Sequence, residues 1–382
     1  MTDSGYIHQD TLAYLNHNSS LKEKLVAAHN VLQKTLPFIA RIAIALYDPE
    51  TRILKTYMHS SGEDNPLEHY QTPLDNALSL KEILKRGQPR VINNMLTFEG
   101  GNREHTKRLG RQGYGASYTI PLFSNGEFFG FMFFNSYETD VFTEIRLEEL
   151  DLHGHLIALM VINELNAIKT LTAVIKTSGH ITHRRDPETG SHLDRMSRYS
   201  RLIAKALAGK YALDDDYIEH IFMFSPLHDI GKIAIPDNIL LKPGKLTEEE
   251  MEVMKTHTLK GREIIDDLLQ SFGLEQISHV DILRNIAISH HEKINGTGYP
   301  FGKKGDEIPL EARIVAVADI FDALTSRRPY KNAWSNEEAF AALRQMAGEK
   351  VDSDCVEALL AHRQEIEEIQ RQFKENVLGR FC

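Results

Sequence analysis

The segment Leu227-His228-Asp229-Ile230-Gly231-Lys232, read with His290-His291-Glu292 further along, decides what the second half of this chain must be. Both place ligand-type side chains where the apolar spacing calls for a buried helix face. Ile221, Phe224 or Ser225, and His228 share one face, and Ile282, Ile286 and His290 share another. His192 lies on a face with Met196, Tyr199 and Ile203, and Asp319 follows Val315 by one helical turn. A single histidine on such a face is usually a hydrogen-bonded core residue. Adjacent pairs, with His257 between them and Asp319 and Asp322 on a later helix, need more than that. Burying these groups unpaired is costly, and a metal cluster satisfies them together. Glu188 stands one turn before His192 and would reach the same ion from a helix.

The donor set narrows the ion. The chain has two cysteines, Cys355 and Cys382, and they form no Cys-x-x-Cys pair. That argues for a reducing compartment, against a disulfide framework and against a structural zinc-thiolate site. Imidazole and carboxylate donors with open positions suit iron or manganese in a two- or three-metal hydrolytic site. Asp229 would bridge two ions, and such a cluster neutralises phosphate and activates water for in-line attack on a phosphodiester.

The first part has a different texture. Residues 20–36 show helical spacing (Leu21, Leu25, Ala28, Leu32), ended by Pro37. Residues 41–47, 53–59, 89–93, 116–123 and 127–136 read as strands, with a turn at Asp48-Pro49-Glu50-Thr51 and helix-like sequence at 74–86. Asn125-Gly126 between the last two strands is a strong hairpin signal. An antiparallel sheet flanked by helices is expected over residues 1–141. Residues 142–183 lack proline, and Leu147, Leu150, Ile157, Val161, Ile168, Leu171 and Ile175 form a heptad stripe broken by Gly154 and Glu164. That stripe predicts a linker and dimerisation helix, hence a homodimer. Residues 184–382 read as almost wholly helical. The fold class is therefore α+β multidomain: sheet domain, long linker helix, all-α domain.

With 382 residues, 42% of them hydrophobic, the chain can bury more than one core. A net charge of −10 argues against a duplex nucleic-acid binder. The first residues, MTDSGYIHQD, show no signal peptide, and no apolar run is long enough to cross a bilayer. A cytoplasmic protein without membrane insertion is expected.

At this point the residues resemble a known group. The order His192, His228-Asp229, Asp319 is similar to the HD phosphohydrolase superfamily. HHEKINGTGYP at 290–300 resembles its HD-GYP subgroup, as do RRDPETGSH at 184–192, LHDIGKIAIPD at 227–237, LKPGKLT at 241–247, ARIVAVADIFDALTSRRPYK at 312–331 and WSNEEA at 334–339. The first 140 or so residues resemble a GAF sensor domain by pattern alone. The resemblance implies a cyclic di-GMP phosphodiesterase yielding pGpG and then GMP. It implies metal ligands at Glu188, His192, His228, Asp229, His257, His290, His291 and Asp319, and a trinuclear, iron-containing site. It sets Lys232 beside the scissile phosphate, Arg328 and Lys331 on the substrate phosphates, and Tyr299 at the pocket mouth. The GYP loop would also contact partner proteins, diguanylate cyclases (GGDEF) among them, and a small molecule of unknown identity would bind the GAF domain.

Asn295 departs from the pattern, which has Asp before the first glycine of that loop; it keeps the turn and leaves 3′3′-cGAMP open as an alternative substrate. A non-catalytic cyclic-dinucleotide receptor is the alternative of another class, and the filled ligand positions argue against it. Asp322 is expected to orient a ligand histidine. His59, His69 and His105 read as surface histidines.

Overall fold

The computed structural model describes residues 8, 10–17, 19–61, 69–95, 113–182, 190–275, 277–326 and 333–374. The chain divides into two compact units, Met1–Asn166 and Ala167–Cys382.

In the first unit, strands β1 (Arg41–Asp48), β2 (Ile53–Ser61), β3 (Gln71–Pro73), β4 (Arg90–Ile92), β5 (Ala116–Ser124) and β6 (Glu127–Ser136) form a six-stranded sheet in the order β3-β2-β1-β6-β5-β4. Every pairing is antiparallel. Asn125 and Gly126 make the β5–β6 turn with φ of 52° and 82°, the left-handed pair that matches the twist of a tight hairpin. Strand β6 shows the two-residue alternation of a strand covered on both sides. Met132 and Phe134 pack with helix α1 (Leu21–Thr35), while Phe131 and Phe133 pack with helix α2 (Leu78–Arg86). A reciprocal Ser20–Glu23 capping box starts α1.

Helix α3 (Glu144–Thr182) begins on the same sheet. Gly154, which interrupts the heptad stripe, marks a close approach: a Cβ there would lie 2.8 Å from Ile120 Cδ1. Leu150, Ile157 and Val161 are buried in the core of the sheet unit, and Ile168 and Leu171 in the core of the helical unit. Heptad spacing looks alike whether the helix faces its own domain or another copy. Among the described residues, the large apolar side chains that α3 leaves exposed are Ile145, Leu152 and Leu159, at 83%, 62% and 61%.

The second unit contains α4 (Gly190–Tyr211), α5 (Asp215–Phe224), α6 (Asp237–Leu240), α7 (Glu248–Lys255), α8 (His257–Phe272), α9 (Val280–Ser289), α10 (Leu310–Thr325), α11 (Asn336–Met346), α12 (Ser353–Leu360) and α13 (Arg363–Gln372). All but α6 and α7 share one core that includes Met196, Ile203, Phe224, Ile286, Val315 and Phe321. Side-chain caps start α5 at Asp214, α7 at Thr247 and α11 at Ser335. Among the described residues no helix is long and apolar enough to cross a membrane.

Candidate metal centre

Helix ends deliver the polar residues to one place in the second unit. His192 enters from the first turn of α4 and Asp319 from the second half of α10. His228 and Asp229 follow α5, His257 opens α8, and His290 and His291 follow α9. Gly231 fits the turn after His228-Asp229 against α8: a Cβ there would lie 1.8 Å from the His257 carbonyl oxygen and 2.4 Å from the Gly261 nitrogen. Only a glycine lets the two backbones meet, and their contact sets His228 and Asp229 beside His257.

Two groups result. Asp229, His257, His290 and His291 each offer a donor atom within 4.8 Å of the others, and so do His192, His228 and Asp319. Asp229 touches both. Its Oδ2 lies 3.2 Å from His228 Nε2 and 2.7 Å from Lys232 Nζ, while its Oδ1 lies 3.1 Å from His257 Nε2 and 3.5 Å from His290 Nε2. One carboxylate thus faces both groups, the geometry of a bridging ligand. Asp319 Oδ1 is 3.8 Å from His192 Nε2.

The imidazoles are oriented by their far sides. His228 Nδ1 donates to the Ser225 carbonyl at 3.0 Å, His257 Nδ1 to Met254 at 2.8 Å and His290 Nδ1 to Ile286 at 2.9 Å. His192 Nδ1 bonds Asp322 Oδ2 at 2.8 Å, and Asp322 in turn accepts from Arg195 Nε at 2.7 Å. A ring that donates from Nδ1 to a carbonyl and stays neutral carries its lone pair on Nε2. All these rings present Nε2 to the centre.

Ionisation agrees with ligation. Burial alone would raise the Asp229 carboxyl, but Lys232 and His228 beside it hold it well below the usual carboxylate range. Burial pushes His290 down, and burial with the neighbouring His290 pushes His291 well down, so both stay neutral. Asp229 Oδ1 and the Nε2 atoms of His257 and His290 are buried with no hydrogen-bond partner among the described residues. Orphaned acceptors of this kind are destabilising in a protein interior. Lone pairs converging without donors fit cations, and the donors are nitrogen and oxygen with no thiolate among them.

The surroundings complete the picture. The Tyr299 ring stands 4.8 Å from that of His291, centroid to centroid. Glu292 accepts from the backbone nitrogens of Phe301 at 2.8 Å and Lys303 at 3.1 Å, which ties the loop beyond Tyr299 to the helix end bearing His291. Gly298 is required there, since a Cβ would fall 2.3 Å from the Lys293 nitrogen. Asn295 keeps the turn, its Oδ1 accepting from the Thr297 nitrogen at 3.0 Å.

His192, His228, Asp229, His257, His290, His291, Asp319, Lys232 and Tyr299 are therefore brought together, and Asp322 orients His192. Glu188, Arg328 and Lys331 lie outside the described residues. Sequence reasoning missed Arg195 and, though it singled out Glu292 beside the histidines, gave it no role. Arg195 is one turn from His192 and Glu292 directly follows His291, and that adjacency was the available signal.

Comparison with known proteins agrees with this arrangement. Residues 187–355 match the HD domain family and residues 18–161 the GAF domain family. The cyclic di-GMP phosphodiesterase response regulator RpfG of Xanthomonas campestris pv. campestris is 48% identical over 50% of this chain and 47% of its own. A probable cyclic di-GMP phosphodiesterase of Vibrio cholerae is 42% identical over 53% of this chain and 47% of its own. The 3′3′-cGAMP-specific phosphodiesterase 2 of Vibrio cholerae is 37% identical over 51% of this chain and 35% of its own. The chain spans about half the length, or less, of these curated relatives.

Proposed function

We propose that this chain, which joins a GAF domain at residues 18–161 to an HD domain at residues 187–355, is a metal-dependent phosphodiesterase hydrolysing cyclic di-GMP to pGpG and then GMP. The observation that supports this most is the Asp229 carboxylate facing both histidine groups, with the rings of His192, His228, His257 and His290 presenting the same nitrogen. His257, His290, His291 and Asp229 would hold one ion, and His192, His228, Asp319 and Asp229 a second, with Glu188 reserved for a third. Iron is the proposed metal and manganese the substitute. Such ions supply Lewis acidity toward phosphate and lower the pKa of water.

The chain's own residues would do the rest. Lys232, held on Asp229 Oδ2, puts a cation next to the reacting phosphate. Arg328 and Lys331 would grip the substrate's phosphates. Tyr299, over His291, would wall the pocket mouth and shield the ligand from water. The GAF domain has a cavity of about 210 Å³ whose lining includes the buried cations Arg41 and Lys55, and it would take a small-molecule signal. The exposed Ile145, Leu152 and Leu159 on α3, spaced by heptads, suit contact with a second copy of a cytoplasmic homodimer. The Asn295 loop would be the contact for diguanylate cyclase (GGDEF) partners.

The test is turnover with metal content. Anaerobically purified protein should contain iron and give pGpG, resolved by chromatography. His228→Ala and Asp229→Ala should lose turnover and metal while keeping the helical circular-dichroism spectrum. Full turnover in either variant refutes the assignment. Asn295 and the 37% identical 3′3′-cGAMP-specific relative favour one second reading, hydrolysis of 3′3′-cGAMP, and direct competition between the two substrates decides it.

A further inference from the structure

The HD family match stops at residue 355, short of α13, yet the end of that helix reaches back toward the metal centre. Ile366 and Ile369 on α13 pack into the core of the helical unit, and Phe373 follows on the same face. Asn336 and Gln370 exchange side-chain amide hydrogen bonds at 3.0 and 2.8 Å, which hold α13 against α11. Phe373 closes the helix, its nitrogen donating to the Ile369 carbonyl at 2.9 Å. The last carbonyls of a helix have no partner within it. That of Phe373 accepts from Arg195 Nη1 at 2.9 Å. The Phe373 ring lies on the Arg198 guanidinium, its centroid 3.9 Å from Cζ. Two cations thus stand at the helix end where the dipole favours them.

Arg195 is the link to the centre. It is buried, and its donors serve two purposes. Nε and Nη2 make a fork on Asp322, at 2.7 Å to Oδ1 and 2.9 Å to Oδ2. Nη1 goes to Phe373 instead. A guanidinium is rigid and planar, so fixing Nη1 also fixes the edge that carries the fork. Asp322 Oδ2 accepts in addition from His192 Nδ1 at 2.8 Å, and His192 Nε2 faces Asp319. Four groups in sequence, the Phe373 carbonyl, Arg195, Asp322 and His192, connect the end of α13 to a ligand ring.

We infer that Phe373 is a positioning residue of the metal centre. Its ring and carbonyl keep Arg195 in the plane from which the fork holds Asp322, and Asp322 aims His192. The inference rests on the reading of His192 as a metal ligand. It makes α13 part of what sets ion affinity at His192, His228 and Asp319, and leaves the group of Asp229, His257, His290 and His291 independent of that helix. A helix that merely packed on the core would lower stability without favouring one ion over the other.

Competitive manganese titration of the full-length protein separates these roles. Phe373→Gly removes the ring and frees the backbone that carries the carbonyl. It should weaken one ion by about tenfold, the low end of what losing an outer partner of a ligand histidine costs, and leave the other unchanged. Phe373→Tyr, which keeps the ring, should bind both ions as wild type does. Ile366→Val, which trims the core under α13, should lower the melting temperature and leave both affinities in place. In an Arg195→Met background, Phe373→Gly should cause no further loss, because the link is already cut. Equal affinities in wild type and folded Phe373→Gly overturn the inference; if that chain does not fold, equal affinities in Phe373→Ala do so. The same loss persisting in Arg195→Met overturns it too, since Phe373 would then act by another route. Wild type that takes up no manganese overturns it together with the reading of the centre, whereas unchanged affinity in the Phe373 variants leaves that reading standing.

Discussion

Replacing Asp322 by asparagine should damage the fold and the metal centre by separable amounts. Asp322 is 0% exposed. It accepts from His192 Nδ1 at 2.8 Å, from Arg195 Nε and Nη2 at 2.7 and 2.9 Å, and from Ser326 Oγ at 2.9 Å. Burial would raise its carboxyl, but His192 and Arg195 hold it below its ordinary value, so it is ionised. Asp322→Asn leaves the buried Arg195 guanidinium without its counter-charge. Breaking a buried pair from one side costs about 3–5 kcal/mol, and at about 2–4 °C per kcal/mol for a unit of this size the melting temperature should fall by roughly 6–20 °C. The His192 ring also loses its orienting carboxylate, which should weaken metal binding at the His192–His228–Asp319 group by about 10–100-fold. Calorimetry of chelated protein reads the first effect, and competitive manganese titration the second. The double variant Arg195→Met/Asp322→Leu removes both charges and should regain much of the melting temperature. It should not regain the metal affinity, because leucine cannot accept from His192 Nδ1. An Asp322→Asn protein that melts within about 1–2 °C of wild type and binds manganese equally well would refute this account of the network.

Gly231→Ala should displace the turn bearing His228-Asp229, because its Cβ would lie 1.8 Å from the His257 carbonyl oxygen. The expected cost is at least about 1–3 kcal/mol, seen as a lower melting temperature together with substoichiometric metal by elemental analysis. Metal-free protein should lose stability as pH falls. Burial is the leading cause that holds His29, His290 and His291 below their ordinary value. The folded state therefore stays neutral where the unfolded chain takes up protons, and stability present above about pH 6.5 declines below it. Melting curves of chelated protein at pH 7.5 and 5.5 check the sign, and a higher melting temperature at the lower pH would contradict it.

How much could be read beforehand varied with the kind of signal. The β5–β6 hairpin was legible because Asn125-Gly126 is a local device with one main use. Strand β3 was not, since Gln71–Pro73 is short, polar and paired at the sheet edge. His192, His228, His290 and Asp319 were legible as out-of-place polar groups because each interrupts an apolar stripe, and the residues completing those stripes, such as Met196, Phe224 and Ile286, are buried in the core. Their orienting partners were mostly hidden, being main-chain carbonyls of Ser225, Met254 and Ile286 that no side-chain pattern reveals. The α3 stripe told of a helix face and not of its partner, because spacing looks alike whether the face packs on its own domain or on another copy.

The anchoring of the ligand rings on main-chain carbonyls has a consequence for how the molecule is put into service. The helices aim His228, His257 and His290 by themselves, so the receptacle takes shape during folding and does not wait for its cargo. A chain built this way would keep its donors aimed while the ion is scarce, and replenishment would fill the receptacle without a second round of folding.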